Sequence, residues 1–104
     1  MLNTIIEIRK GVLFVRLNGV LNKNTMNELD NTYNLIIDNK ISNIVFNIND
    51  VEQIDKKGIN KLFNIYKNVI KNNSHCYFIK NKLLNNKKIK EFDNELNAME
   101  EIWN

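Results

Sequence analysis

Proline is absent from this chain of 104 residues, and glycine occurs only three times. Helix ends must therefore be set by Asn, Asp and the few glycines rather than by proline stops. There is one cysteine, Cys76, and one histidine, His75. A single cysteine excludes an internal disulfide, and together the two supply too few ligands for a transition-metal cluster. No apolar run approaches the roughly 20 residues that a membrane helix needs. The first ten residues, MLNTIIEIRK, lack the basic start and long apolar stretch of a cleaved signal. A cytoplasmic protein is expected. The net charge of +3 is weak and carried mostly by lysine, with acids interspersed. A nucleic-acid binder would need a concentrated basic face with aromatic or arginine readers, and none is visible.

What is present is ordinary for a soluble globular protein: 43% hydrophobic and 26% charged residues. That length suits one domain over residues 1–104, with a single core. Asparagine is abundant, but it is spread through periodic apolar segments and reads as compositional bias rather than a prion-like tract.

The chain is organised around Ile44 to Ile70. Ile44, Phe46 and Ile48 alternate with Val45 and Asn47, as in a strand covered on its faces. A connecting loop and an Asp-Lys-Lys-Gly corner follow. Then Ile59, Leu62, Phe63, Tyr66, Val69 and Ile70 form a helical stripe. Asp55 is placed to accept from free amides of the first helical turn. Gly58 lies within that turn, where a better helix former is normal, so something must approach it closely.

Upstream, Thr4 to Arg9 and Val12 to Leu17 read as strands joined by a Lys10-Gly11 turn. Leu13, Val15 and Leu17 point inward and Arg16 outward, and Asn18-Gly19 marks a turn. Asn22 or Asn24 caps a helix bearing Met26, Leu29, Tyr33, Ile36 and Ile37, ended by Asp38-Asn39-Lys40. Asn72-Asn73 stop the second helix, and Ser74 to Lys80 is another strand. In the tail, Lys82 to Lys88 forms at most one helical turn and Ile89 to Phe92 a short strand. Asp93 then caps a helix from Asn94 to Trp103, with Leu96, Met99 and Trp103 inward. The pattern predicts a small α/β domain: a mixed, mostly parallel sheet of four to five strands with an antiparallel edge and helices packed on it.

Val51 to Leu62, VEQIDKKGINKL, resembles the signature of STAS domains, best known as bacterial anti-sigma factor antagonists. In that family a strand and hydrophobic loop lead into Asp-Ser-Ser/Thr-Gly-hydrophobic and a helix. Asp55, Gly58, Ile59, Leu62 and Tyr66 match the pattern. Lys57 stands where regulated members carry the hydroxyl that kinases phosphorylate, and Lys56 replaces the preceding serine. Gly11 to Leu21, GVLFVRLNGVL, is similar to the family's second strand. The resemblance runs from about Ile5 to Ile79 and loosens after Asn81. Lys82 to Lys88 is shorter than the full helix usual between the family's last two strands.

The resemblance implies a non-enzymatic interaction module without catalytic residue, metal or cofactor. Its expected partner is an anti-sigma factor or switch kinase. Docking would use Asp55, Lys56, Lys57, Gly58, Ile59 and Lys61, without Ser/Thr phosphorylation at position 57. The alternative is a STAS-type scaffold or accessory subunit in a stress-sensing or transporter ATPase assembly.

Read by themselves, Lys56 and Lys57 oppose the helix dipole. They either extend into solvent or form a contact surface for an acidic partner. Lys82, Lys87, Lys88 and Lys90 read as a solvated loop. His75 and Cys76 are neighbours in a strand and point apart, so they cannot share a ligand. Asp50 and Glu52 are expected to face water, with Asp55 engaged as a cap. Asp-Lys-Lys-Gly also lacks the second glycine and Lys-Ser/Thr of a phosphate loop.

Overall fold

A computed structural model of the chain describes residues 1–81 and 89–103. It opens with a hairpin. Strands β1 (Leu2–Arg9) and β2 (Val12–Leu21) pair antiparallel in unbroken register. Lys10 and Gly11 turn the chain between them with φ of 50° and 79°, the left-handed pair that a tight two-residue hairpin requires. A short 3-10 turn (Met26–Glu28) and helix α1 (Leu29–Asp38) cross to β3 (Asn43–Ile54). Helix α2 (Lys56–Lys71) then leads to β4 (His75–Ile79), followed by β5 (Glu91–Phe92) and α3 (Glu95–Trp103). The described strands form one sheet in the order β1-β2-β3-β4-β5, in which only the β1–β2 pair is antiparallel. This is the mixed, mostly parallel α/β architecture that the pattern predicts.

The central strands are covered on both faces. Leu13, Val15, Leu17, Ile44, Phe46, Ile48 and Phe78 pack beneath α1 and α2, against Leu29, Ile36, Leu62, Ile65 and Val69. Phe46 and Phe78 stack there with centroids 5.6 Å apart. On the other face Val12, Phe14, Val45 and Ile79 meet Ala98 of α3. Buried Asn81 donates to the carbonyls of Ile48 and Val51, pinning the chain after β4 onto β3.

Several expectations need correction. The connecting loop expected between Ile48 and Asp55 is strand: β3 continues to Ile54, held by its pairing with β2 as far as Leu21. Asn18-Gly19 is not a turn: β2 runs on to Leu21, with a register shift against β3 on either side of that pair. Gly19 does take a left-handed φ of 106°, but within the strand and close against the Met1 carbonyl, while the extra residues of the two shifts lie on β3. In α2, Ile65 belongs to the buried stripe and Ile70 is exposed. Eight residues on from Leu62, Ile70 sits roughly 80° round the helix, at the margin of the face. Ile37 of α1 is likewise exposed, while Thr32 is buried. Neither candidate cap is the N-cap: Thr25 precedes the 3-10 turn and Glu28 precedes α1, while Asn22 accepts from the amides of Asn24 and Thr25 in the turn before them.

In the tail, Asn94 and not Asp93 accepts from the Asn97 amide at 2.9 Å, and Asp93 pairs with Lys80. Ala98, Met99 and Ile102 face the sheet, whereas Leu96 and Trp103 are exposed. Glu95 is the reason. Its carboxylate is held on the sheet by Arg16 and Asn47, which fixes the rotation of α3. The expected turn at Lys82 to Lys88 lies outside the described residues. Among the described residues no helix is long and apolar enough to cross a membrane.

Leu62 is the buried centre of the α2 stripe. Truncation to alanine is expected to cost about 2–5 kcal/mol, read as a lowered urea midpoint with an unchanged slope.

Candidate functional site

The corner between β3 and α2 is built by the end of β2. The Leu21 carbonyl accepts from the Asp55 amide at 3.1 Å. Asp55 is extended (φ −99°, ψ 174°) and is the N-cap of α2. Its Oδ1 accepts from the Gly58 amide at 2.7 Å and its Oδ2 from the Lys23 amide at 3.0 Å. One carboxylate thus ties the α2 start to the chain leaving β2. The Gly58 amide, with help from that of Lys23, holds the Asp55 carboxyl below its ordinary value of 3.8.

Gly58 is buried, and a Cβ built on it would lie 2.5 Å from the Leu21 carbonyl oxygen and 2.9 Å from Leu21 Cγ. The close approach expected from a glycine in a first helical turn is therefore the backbone of β2. With its missing side chain, Gly58 lets α2 begin directly on that strand.

The site residues expected from sequence divide into three kinds. Asp55 and Gly58 are structural, engaged within the corner. Lys56 and Lys57 are exposed and carry no ion pair among the described residues. Ile59 is half-buried against the main core, and Lys61 is tied by its ammonium to Asp30 of α1 at 2.5 Å. Beside the corner lies a shallow depression of about 290 Å³ lined by Met26, Lys57, Asn60, Lys61 and Asn64. Sequence reasoning passed over Met26, Asn60 and Asn64 there. The signal was available, since positions 57, 60, 61 and 64 recur at helical spacing on the face opposite Leu62. It also passed over Lys23, whose amide feeds Asp55 and whose side chain is exposed.

The other candidates are not assembled into a site. His75 is exposed while Cys76 is buried, and burial pushes the Cys76 thiol up, away from the reactive thiolate. Asp50 and Glu52 are exposed. Among the described residues no group of three His, Cys, Asp or Glu could hold a metal ion. Of the tail lysines, Lys90 is exposed and near Glu101, and the others lie outside the described residues.

Residues 3–82 match the family model of the STAS domain. No curated protein matches the chain in sequence. Among solved structures, an anti-sigma factor antagonist from Mycobacterium paratuberculosis superposes with a TM-score of 0.86 at 15% identity, over 100% of this chain and 96% of that one. The anti-sigma factor antagonist SpoIIAA in its unphosphorylated form gives 0.75 at 12% identity, over 96% and 97% of the two chains. The phosphorylated form of SpoIIAA from Bacillus gives 0.71 at 10% identity, over 96% and 99%. At such identities the likeness concerns the fold.

Gly58→Ala reverses a familiar sign. In an open helix the change would stabilise by roughly 0.5–1 kcal/mol; here overpacking against Leu21 is expected to destabilise by about 1–3 kcal/mol in a denaturant titration. Asp55 also makes a pH prediction. Its folded-state pKa is lowered, so its contribution is fully present above 3.8 and is lost as the pH falls through the folded-state value below that. The stability difference between wild type and Asp55→Asn should therefore narrow on acidification below 3.8.

Proposed function

The chain belongs to the STAS domain family, and from that premise we propose that residues 1–104 act as one non-enzymatic cytoplasmic module that binds an anti-sigma factor or switch kinase. The docking surface is the α2 corner, with Lys56 and Lys57 at its tip and Ile59 and Lys61 at its flank. The observation that carries this reading is the clasp. Asp55, Gly58 and Leu21 hold the first turn of α2 rigidly, while the two lysines on it form no ion pair among the described residues.

A rigid turn with free cations favours protein recognition over chemistry. The side chains on it are presented without a loop to order, which lowers the entropic cost of binding. They also sit where the helix dipole is already positive, so an acidic partner surface meets both fields together. With Lys57 at this position there is no hydroxyl to phosphorylate. The module then stays permanently competent to dock, and its control lies in the partner or in abundance.

Lys57→Glu separates this reading from a misfolding effect. An acid in the first turn is neutral or stabilising by a few tenths of a kcal/mol or more, so thermal unfolding should hold or rise. Affinity for the anti-sigma factor or kinase captured from the native host should fall by about 1 kcal/mol for a rim contact, and by several if Lys57 meets a buried acid. An unchanged affinity in calorimetry would show that the corner is not the docking surface.

A further inference from the structure

The β1 strand is an open edge of unusual character. Ile5, Ile6 and Ile8 are 58%, 41% and 60% exposed, on both faces of the strand. Edge strands normally avoid pairing through lysine, proline, a bulge or shortness. From Leu2 to Arg9 there is no lysine and no proline, and the eight residues pair with β2 without a bulge. Glu7 and Arg9 do not guard the edge either, because Glu7 is engaged by Arg9 and by Arg16.

The direction of the free backbone groups follows from the ladder. Met1 accepts from the Val20 amide, and antiparallel pairs alternate between bonded and non-bonded. Asn3, Ile5, Glu7 and Arg9 therefore turn their backbone groups toward β2. Leu2, Thr4, Ile6 and Ile8 turn theirs outward, four residues whose N–H and C=O have no strand partner among the described residues.

We propose that this edge pairs antiparallel with the β1 of a second copy, on a two-fold axis at Ile5, to give one continuous sheet. The occupant follows from self-complementarity. With Ile5 opposite Ile5 of the second copy, Leu2 faces Ile8, Asn3 faces Glu7 and Thr4 faces Ile6. The outward-bonding residues meet one another, all three exposed isoleucines find apolar or β-branched neighbours, and no like charges are opposed between Leu2 and Ile8. Centring the strands on Glu7 instead would set two carboxylates face to face. An axis at Ile5 runs normal to the sheet, so both α2 corners stay on the same face at opposite ends, uncovered. This association is independent of the docking proposed for the corner.

Sedimentation equilibrium from low micromolar to millimolar concentration should show the mass rise from 12.3 kDa toward twice that value. Ile5→Lys places two ammonium groups across the axis and should weaken association at least about tenfold, with circular dichroism and thermal unfolding retained because the site is exposed. Ile5→Cys should form an oxidised dimer, since directly opposed non-bonded residues lie at about 4.5 Å between Cα atoms, within disulfide reach. Asn3→Cys should not, because the two copies of that residue would be four strand positions apart, roughly 13 Å. Buried Cys76 serves as a silent background. A monomer at every concentration, association undiminished in Ile5→Lys, or equal cross-linking at positions 3 and 5 would each overturn the proposal.

Discussion

The approach of α2 to β2 at Gly58 is the constraint on which the corner depends. A helix that follows a parallel strand must begin where its first turn clears the neighbouring strand, and here that clearance is a glycine's worth of space. Leu21 occupies the room a side chain would need, and its carbonyl is already bonded to Asp55. Asp55 in turn accepts from the helix and from Lys23. Position, direction and first hydrogen bonds of α2 are thus set by a few atoms at the end of β2. The buried stripe of Leu62, Ile65 and Val69 then needs only helical periodicity to reach the sheet.

The opposite face is fastened differently. There the apolar patch under α3 is small, and a polar group decides the orientation. Glu95 accepts from Arg16 Nε and Nη2 at 2.8 and 2.7 Å and from Asn47 at 2.7 Å. The hydrogen bonds with Arg16 hold the Glu95 carboxyl down and, with those of Glu7, push the guanidinium up. A paired carboxylate at the first turn of a helix also complements the dipole. Apolar area alone would allow α3 to roll; the two-point guanidinium contact does not.

This division explains what was legible in the sequence. Elements whose period matches a buried stripe could be read directly: β2 as far as Leu17, β3 from Ile44 to Ile48, α2, and the hairpin at Lys10-Gly11; the later halves of β2 and β3, where they pair with each other, were not. The cap at Asp55 was legible too, because aspartate is a preferred N-cap, and so was the close contact at Gly58, because glycine departs from what an isolated helix would prefer. The misread places are those where tertiary contact outranks local preference. Asn18-Gly19 has the composition of a turn, but the strand continues through the same left-handed glycine where β2 and β3 shift register, and only the neighbouring strands distinguish the two. Leu96 and Trp103 fit an apolar helical face, yet the rotation of α3 follows Glu95, whose partners lie 79 and 48 residues away. The depression beside Lys57 was hidden for another reason, since Asn60 and Asn64 are unremarkable in a chain so rich in asparagine.

Charge distribution around the corner bears on why lysines stand there. A lysine-rich surface alone would scatter cations among available acids, as Lys61 with Asp30, Lys80 with Asp93 and Lys90 near Glu101 illustrate. Lys56 and Lys57 differ, for they are set at the helix end that disfavours them and form no ion pair among the described residues. Lys23, exposed on the segment that the Asp55 carboxylate grips, adds a third cation nearby. The clasp consumes the one acid at the corner, since both carboxylate oxygens of Asp55 are committed to backbone amides. The requirement that fixes the helix start therefore also leaves its surface positive. In the docking proposed for this corner, the partner's acids are the counter-charge for that preformed cationic turn.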